Sequence, residues 1–506
     1  MTNLGKVILI GAGPGDEGLL TRRAERVLAN AEIVLVDRLV GPGIRALINP
    51  DAQVVDVGKA CGNHPVPQRE INRLLLRYAR DGKLVVRLKG GDPYLFGRGA
   101  EELEAVIRES VPFEVVPGIS ASIAVPAWAG IPVTHRDHSS SVHILTGHRR
   151  QGGGPAFDYV SLAKLGGTLV FMMGFSAMED ILKGLMQAGL GADTPAALIQ
   201  NGTLSGQRKL VATAETLYDR AREAGIKAPA VLVVGAVCAL HEALDWASRR
   251  PLSGRTILVT RPISSGGELR EKLAQLGADA IAYPCIHLRP RAEIHLPQDF
   301  SAYGWVVFTS AFGVKVFFDS LLVAGRDIRS LTGVRIAAIG SRTRGELESR
   351  GILADFVPEV YDACHLGEGL ADLMETGKKA LLFRASLGTR ELTAALDRHG
   401  ASWEEIAAYD TLYQSPVTPQ VQSLLRRGTV NYVTFTSAST VEGFVRAVGL
   451  EPATSSAYKA VCIGQSTARA AEQYDLDVLC SRQATLDSMV EAILDNEKRE
   501  SGDGLD

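Results

Sequence analysis

The stretch VILIGAGPGDEGLL, residues 7–20, decides how the first half of the chain is read. Val7–Ile10 is an apolar run of the kind that forms a buried strand. Gly11, Gly13 and Gly15 follow it, and a helical pattern begins near Leu20. A strand, a glycine-rich turn and a helix together let backbone approach a ligand closely. A second run, Ile33–Val36, ends in Asp37, where a dinucleotide-binding fold places the acid that holds a ribose. The dinucleotide fingerprint G-x-G-x-x-G nevertheless fails at its last position, which is Asp16. Pro14 stiffens the turn and removes an amide donor. Asp16 would compete with a phosphate for the donors that remain. The loop is therefore expected to take a ligand without phosphate, which counts against a nicotinamide oxidoreductase.

The chain has 506 residues, room for three or four domains. Its hydrophobic fraction of 46% is that of a globular α/β protein, and a net charge of −3 gives no electrostatic footprint for nucleic acid. Six cysteines with no C-x-x-C pair argue for a reducing compartment, against a disulfide framework and against a zinc ribbon. No apolar run approaches the ~20 residues of a membrane-spanning helix. The first strand begins almost at the N-terminus, which reads as a chain without a signal peptide. A cytoplasmic protein with neither nucleic-acid nor membrane partners is expected.

Apolar runs alternate with helical patterns throughout, which predicts an α/β fold. The polar stretch HEALDWASRRPLSGR, residues 241–255, interrupts the rhythm and reads as a linker between independently folding units. The C-terminal DNEKRESGDGLD, residues 495–506, reads as a polar, frayed tail. The second half contains an internal repeat. VVFTSAFGVKVFF (306–318) resembles YVTFTSASTVEGF (432–444), and RIAAIGSRTRGELESRGI (335–352) resembles AVCIGQSTARAAEQYDL (460–476). GELREKLAQLGADAIAYPCIHL (267–288) likewise resembles RELTAALDRHGASWEEIAAYDTLY (390–413). Two similar α/β lobes with a cleft between them follow.

RLKGGDPYLFGRG, residues 87–99, gives a second tight glycine turn with Asp92 at its tip. Such an acid can bind an amino group or ribose hydroxyls, and the same residues also make an ordinary surface turn. His135, His138, His143 and His148 suggest a metal, but His143 and His148 lie an odd number of residues apart on a strand-like run and face opposite ways. No metal site is expected.

With GAGPGD, DRLV, VGK, RLKGGDPYLFGRGAEE, VVPGIS, GIPVTHRD, MMG and NGT…QR in order, residues 5–245 resemble uroporphyrinogen-III C-methyltransferases of the tetrapyrrole methylase class. The resemblance implies a domain over residues 1–248 with two α/β lobes and S-adenosyl-L-methionine bound between them. It implies cofactor contacts from Pro14, Gly90, Gly91, Asp92, Leu95, Ser120, Ala121, Met173, Gly202 and Ala230. Ser120 stands where the family usually has threonine. Apart from the resemblance, Met173 reads as a core residue beside Gly174. Asp37 and Lys59 are the catalytic candidates: a carboxylate can stabilise the macrocyclic cation and accept its proton, and a lysine can return a proton or hold propionates. Apart from the resemblance, Asp37 reads as a loop-capping acid and Lys59 as a solvated surface cation. Substrate contact by His135 or Arg136 also fits, and a homodimer through this domain is implied.

Residues 254–494 resemble uroporphyrinogen-III synthases through VTRP (259–262), FTSA (308–311), AAIGSRT (337–343), AAYDTLY (407–413), FTSAST (435–440) and IGQSTA (463–468). The resemblance implies a domain over 249–494, with one lobe from 254–287 and 416–494, the other from 290–412, and two extended strands joining them. It implies closure of hydroxymethylbilane to uroporphyrinogen III without a cofactor, with Tyr409 helping hydroxide to leave. Backbone amides and the hydroxyls of Thr309, Ser310 and Thr467 suit the substrate's carboxylates, as does Arg261. Tyr409 also reads as a strand aromatic packing on its lobe. A chain making precorrin-2, for siroheme or cobalamin, is the resulting expectation. The alternative is a methyltransferase with a ligand-binding regulatory module that lacks synthase activity.

Overall fold

The computed structural model describes residues 4–58, 66–147, 157–388, 390–413, 419–449 and 458–501. The first sheet is built from β1 (Lys6–Gly11), β2 (Ile33–Val36), β3 (Gln53–Asp56), β4 (Leu84–Lys89) and β5 (Phe113–Val116). All its pairs are parallel, in the order β3-β2-β4-β1-β5. The uninterrupted apolar runs follow from burial on both faces. Ile8, Ile10, Val34, Val36, Val86 and Leu88 fill one core, while Val7, Leu9, Ile33, Leu35 and Val85 fill the other. This is the two-residue alternation of a strand applied to a sheet with helices on both sides.

The second sheet contains β6 (Val142–Thr146), β7 (Thr168–Met172), β8 (Pro195–Gln200), β9 (Arg208–Thr213) and β10 (Ala230–Val234), ordered β6-β7-β10-β8-β9. Only β6 and β7 pair in parallel there.

The second half contributes β11 (Thr256–Val259), β12 (Asp279–Ala282), β13 (Ile286–Pro290), β14 (Tyr303–Phe308), β15 (Arg335–Ala338), β16 (Lys379–Ala385), β17 (Trp403–Tyr413), β18 (Tyr432–Phe435), β19 (Lys459–Cys462) and β20 (Asp477–Cys480). They form two sheets, β12-β11-β18-β19-β20 and β13-β17-β16-β14-β15. The repeat is visible in the topology, because β12-β11-β18-β19 and β17-β16-β14-β15 have the same order. It extends to the helix starts. Ser310 and Ser437 cap their helices through the backbone N–H three residues on, and Gly340 and Gly464 occupy the same extended cap conformation, at φ −175° and −179°. The chain crosses between the lobes along β13 and the end of β17, which pair antiparallel from Ile286–Tyr413 to Pro290–Tyr409.

Two expectations are corrected. The stretch 241–255 is polar in composition, yet it is packed. Trp246 meets Trp128 edge-on at 4.9 Å, and Asp245 pairs with Lys209 at 2.8 Å. Leu252 is fully buried in the core of the following lobe, and Arg250 donates to the Ala274 carbonyl. These contacts tie the stretch to both halves, so polarity here marks an interface and not a free tether. The tail expected from Asp495 is helical as far as Ser501. Glu497 accepts hydrogen bonds from Arg255 and Tyr432 at 2.6 Å each, which pins this helix to the start of β11 and to β18.

Candidate functional sites

The first site lies where the C-terminal ends of β1, β2, β4 and β5 open into loops. Its floor is glycine backbone. Gly13 and Gly91 exchange hydrogen bonds, at 3.2 Å and 2.7 Å, so the two glycine motifs of the sequence are bound to each other. A Cβ on Gly11 would stand 2.5 Å from the Gly118 nitrogen and 2.6 Å from the Gly91 carbonyl oxygen, so three chain segments meet with no room for a side chain. Gly91 has φ +68° and open space where a Cβ would stand.

Asp92 ties these loops together. Its carboxylate accepts from the amides of Tyr94 at 2.8 Å, Leu95 at 3.2 Å and Gly118 at 3.1 Å. Ser120 caps the helix Ala121–Trp128 by accepting from Ser122 N–H. The second lobe closes the site from above. Thr203 Oγ1 accepts from the Asp16 amide at 3.1 Å, and a Cβ on Gly202 would stand 2.5 Å from Val125 Cγ2. Ala230 lies opposite Gln200 at the start of β10. Met173 follows β7 directly, with φ +53°, and is 50% exposed, which overturns its reading as a core residue. Seven described non-glycine residues have positive φ, and five of them, Phe96, Arg98, Met173, Asn201 and Thr203, fall in the loops after β4, β7 and β8. Such backbone is costly and gathers where loops are shaped for a ligand.

The sequence reading missed a buried charge network. Asp37 accepts from Arg87 at 2.7 Å. Arg87 also contacts Glu102 at 3.2 Å, and Lys89 contacts the same Glu102 oxygen at 2.9 Å. Arg87 is 2% exposed and Glu102 is fully buried, while Asp37 keeps a third of its side chain open. Burial, with Arg87 alongside, pushes the Lys89 amine below its ordinary value. The signal lay in RLKGG, where two cations alternate on a strand that is otherwise apolar. Lys59 and His148 lie outside the described residues. No group of three His, Cys, Asp or Glu among the described residues could hold a metal.

The residues present fit S-adenosyl-L-methionine. Bare glycine backbone faces the cleft, and the exposed side chains of Leu39 and Tyr94 stand in the loops around it. A phosphate is poorly served, because Pro14 offers no donor and Asp16 already takes the Gly18 amide at 2.7 Å.

The second site is a cleft of about 1070 Å³ between the repeated lobes. Thr309 and Ser310 line it from one lobe and Pro262 from the other. Ser310 Oγ accepts from Gly313 N–H at 2.9 Å and is hydrogen-bonded to Tyr409 Oη at 2.7 Å. Tyr409 is 5% exposed, with Phe312 edge-on at 5.0 Å, and burial pushes its phenol up. Its hydroxyl therefore reaches the cleft through Ser310. Its repeat counterpart, Tyr283, is buried with no hydrogen-bond partner for its hydroxyl, so the repeats differ here. Arg261 is buried at the end of β11, beside Pro262. Thr467 is buried in the first turn of its helix and lies outside the cleft wall, which its counterpart Thr343 joins. Lys315 and Arg342 also line the cleft, with the Glu346 carboxylate near Arg342. The sequence reading did not single them out.

Residues 6–218 match the family described as Tetrapyrrole (Corrin/Porphyrin) Methylases, and residues 267–491 match Uroporphyrinogen-III synthase HemD. The chain is 43% identical over 495 residues to Porphyrin biosynthesis protein HemD of Ruminiclostridium josui, covering 97% of this chain and 98% of that one. It is 47% identical over 246 residues to the S-adenosyl-L-methionine-dependent uroporphyrinogen III methyltransferase of Methanosarcina barkeri, covering 48% of this chain and 95% of that one. It also resembles the crystal structure of uroporphyrin-III C-methyl transferase from Thermus thermophilus complexed with S-adenyl homocysteine. There the identity is 38% and the TM-score 0.40, over 46% of this chain and 93% of that one.

Proposed function

The chain belongs to the family of porphyrin-biosynthesis proteins that join a tetrapyrrole methylase to a uroporphyrinogen-III synthase, and from that premise we propose that it catalyses two consecutive steps. The second half closes hydroxymethylbilane to uroporphyrinogen III with inversion of the last ring. The first half methylates uroporphyrinogen III twice, giving precorrin-2 for siroheme or cobalamin. The observation that carries this reading is the pairing itself: the compound named for the synthase is the compound named for the methyltransferase relative.

S-adenosyl-L-methionine, when bound, supplies an electrophilic methyl group whose leaving group is built in. The glycine floor and the loops of Asp92, Leu95, Ser120, Ala121, Met173, Gly202 and Ala230 would hold it, with Pro14 at the rim. Arg87 fixes the Asp37 carboxylate, which stabilises the cationic macrocycle and takes its proton. Lys59 is assigned to the propionates or to proton return. In the second half, Tyr409 stays protonated and supports Ser310, which donates a hydrogen bond to the departing hydroxyl of the bilane. Loss of that group leaves a carbocation that closes through a spiro intermediate, so this half needs no cofactor. Thr309 and Arg261 are assigned to carboxylates, whereas Thr467, outside the cleft wall, is not. A cytoplasmic protein, dimeric through the methyltransferase domain, completes the proposal. The exposed side chains of Ile119 and Ile123 support the dimer.

The test supplies hydroxymethylbilane to the purified chain. Type III uroporphyrinogen should form without S-adenosyl-L-methionine and precorrin-2 should form with it. Only the type I isomer, which arises without enzyme, would leave the second half as a regulatory module.

A further inference from the structure

The cleft between the synthase lobes has a third wall, which comes from the other domain. Beside Thr309, Ser310 and Pro262, the same cavity is lined by Glu25, Ala29 and the segment Ala46–Asp51 of the methyltransferase half. That segment precedes β3, and Ala29 ends the helix before β2. Both therefore sit at the N-terminal edge of the parallel sheet, opposite the loops of the methyl-transfer site. The wall is free of that chemistry and available to the synthase.

The placement is fixed by packing across the junction. Glu17 forms an ion pair with Arg270, in which both side chains are at least four-fifths buried. The Ser205 hydroxyl bonds to Thr256 at 2.7 Å, and the short helix Pro42–Arg45 lies against β12. The wall's chemistry differs from that of the lobes facing it. On the synthase side Lys315 and Arg342 present cations to the cleft, with the Glu346 carboxylate near Arg342. The methyltransferase side presents apolar Ala29, Ala46 and Leu47, with the carboxylates of Glu25 and Asp51 beside them. A long flexible polyanion with flat apolar rings is sorted by such a cleft. Its carboxylates go to the cations, and its ring edges meet the apolar wall.

We propose that the methyltransferase domain completes the synthase's substrate cleft, with Leu47 as a positioning residue and Glu25 and Asp51 as a repelling rim that turns the substrate's carboxylates toward Lys315 and Arg342. The inference rests on the synthase reading of the second half. It concerns a surface that a synthase without a methyltransferase partner would not have.

The experiment uses the intact chain and hydroxymethylbilane. Leu47→Asp places a carboxylate on the apolar wall and should raise the synthase KM about five-fold. Asp51→Lys, on an exposed residue, should lower the KM about three-fold at low salt and lose that effect at high salt. In both variants, methylation of added uroporphyrinogen III should stay within two-fold of wild type. Lys315→Ala reports on the synthase reading itself and should raise the KM. An unchanged synthase KM in both Leu47→Asp and Asp51→Lys, with Lys315→Ala impaired, overturns the third wall and leaves the cleft assignment standing. If all three variants match wild type, the cleft assignment falls as well.

Discussion

At the scale of single residues, the two acids that look alike in the sequence have different work. Asp37 has one buried partner, Arg87, and an open edge. Asp92 is spent on three backbone amides from two loops. Asp92→Ala should weaken S-adenosyl-L-methionine binding by ~1.5–3 kcal/mol, the usual range for hydrogen bonds to a charged group, because the loops lose their tie. Asp37→Ala should leave that affinity nearly unchanged and lower turnover. Calorimetry with the cofactor and single-turnover methylation separate the two, and the opposite pattern would exchange their roles. In the other half, Ser310 and Tyr409 share one hydrogen bond and should act as a unit. Tyr409→Phe and Ser310→Ala should each lower synthase kcat, and the double variant should fall little further than the worse single one. Additive losses would mean that Tyr409 works apart from Ser310. Methylation of added uroporphyrinogen III is the internal control for folding.

At the scale of elements, the methyl-transfer site depends on how closely β1, β4 and β5 can end together. Gly11, Gly91 and Gly118 meet backbone to backbone, and a Cβ on Gly118 would stand 2.7 Å from both the Gly11 Cα and its carbonyl carbon. Neither atom belongs to a flexible side chain, so the strand ends must separate to admit a methyl group. Gly118→Ala should therefore abolish cofactor binding while synthase activity persists. It should also lower the first unfolding transition, read by calorimetry, by more than Gly166→Ala does. Gly166 has positive φ but open space around it, so the comparison isolates the crowding from the backbone effect.

At the scale of the whole molecule, the junction is an electrostatic device. Asp279, at the start of β12, faces the Ser205 hydroxyl and the carboxylates of Glu17 and Asp16 across the boundary. Burial, then Glu17 and Asp16, push its carboxyl up to about 7 from an ordinary 3.8. Burial also raises Asp16 and Glu17, against the opposing charges of Arg250 and Arg270 respectively. A carboxyl raised by folding holds a proton that the unfolded chain has released. Its stabilisation is complete below pH 3.8 and is lost as pH rises through about 7. The junction should thus be tighter at pH 5.5 than at pH 8. Asp279→Asn, neutral at every pH and still able to bond Ser205, should raise Tm at pH 8 and change it little at pH 5.5. An equal shift at both values would remove Asp279 from the pH response.

The sequence by itself determined the elements and their grouping. Strands are short-range objects, and Val7–Ile10 or Ile33–Val36 carry their burial in their own composition. The repeat was legible for the same reason, since each lobe needs the same serine-capped and glycine-capped helix starts after β14, β15, β18 and β19. The failed fingerprint at Asp16 was a local fact too, and it argued against a phosphate before any geometry was known. Tertiary structure alone decided what the charged and polar residues do, because a charge takes its role from whatever stands opposite. Arg87 and Glu102 are 15 positions apart yet close a buried network behind Asp37. The stretch 241–255 has a linker's composition, but Trp128, Lys209 and Ala274 turn it into an interface. Leu47 belongs to one domain by sequence and to the other domain's cleft by position. Burial supplies the low dielectric that makes such pairings decisive, and burial is a property of the folded chain, absent from any local segment.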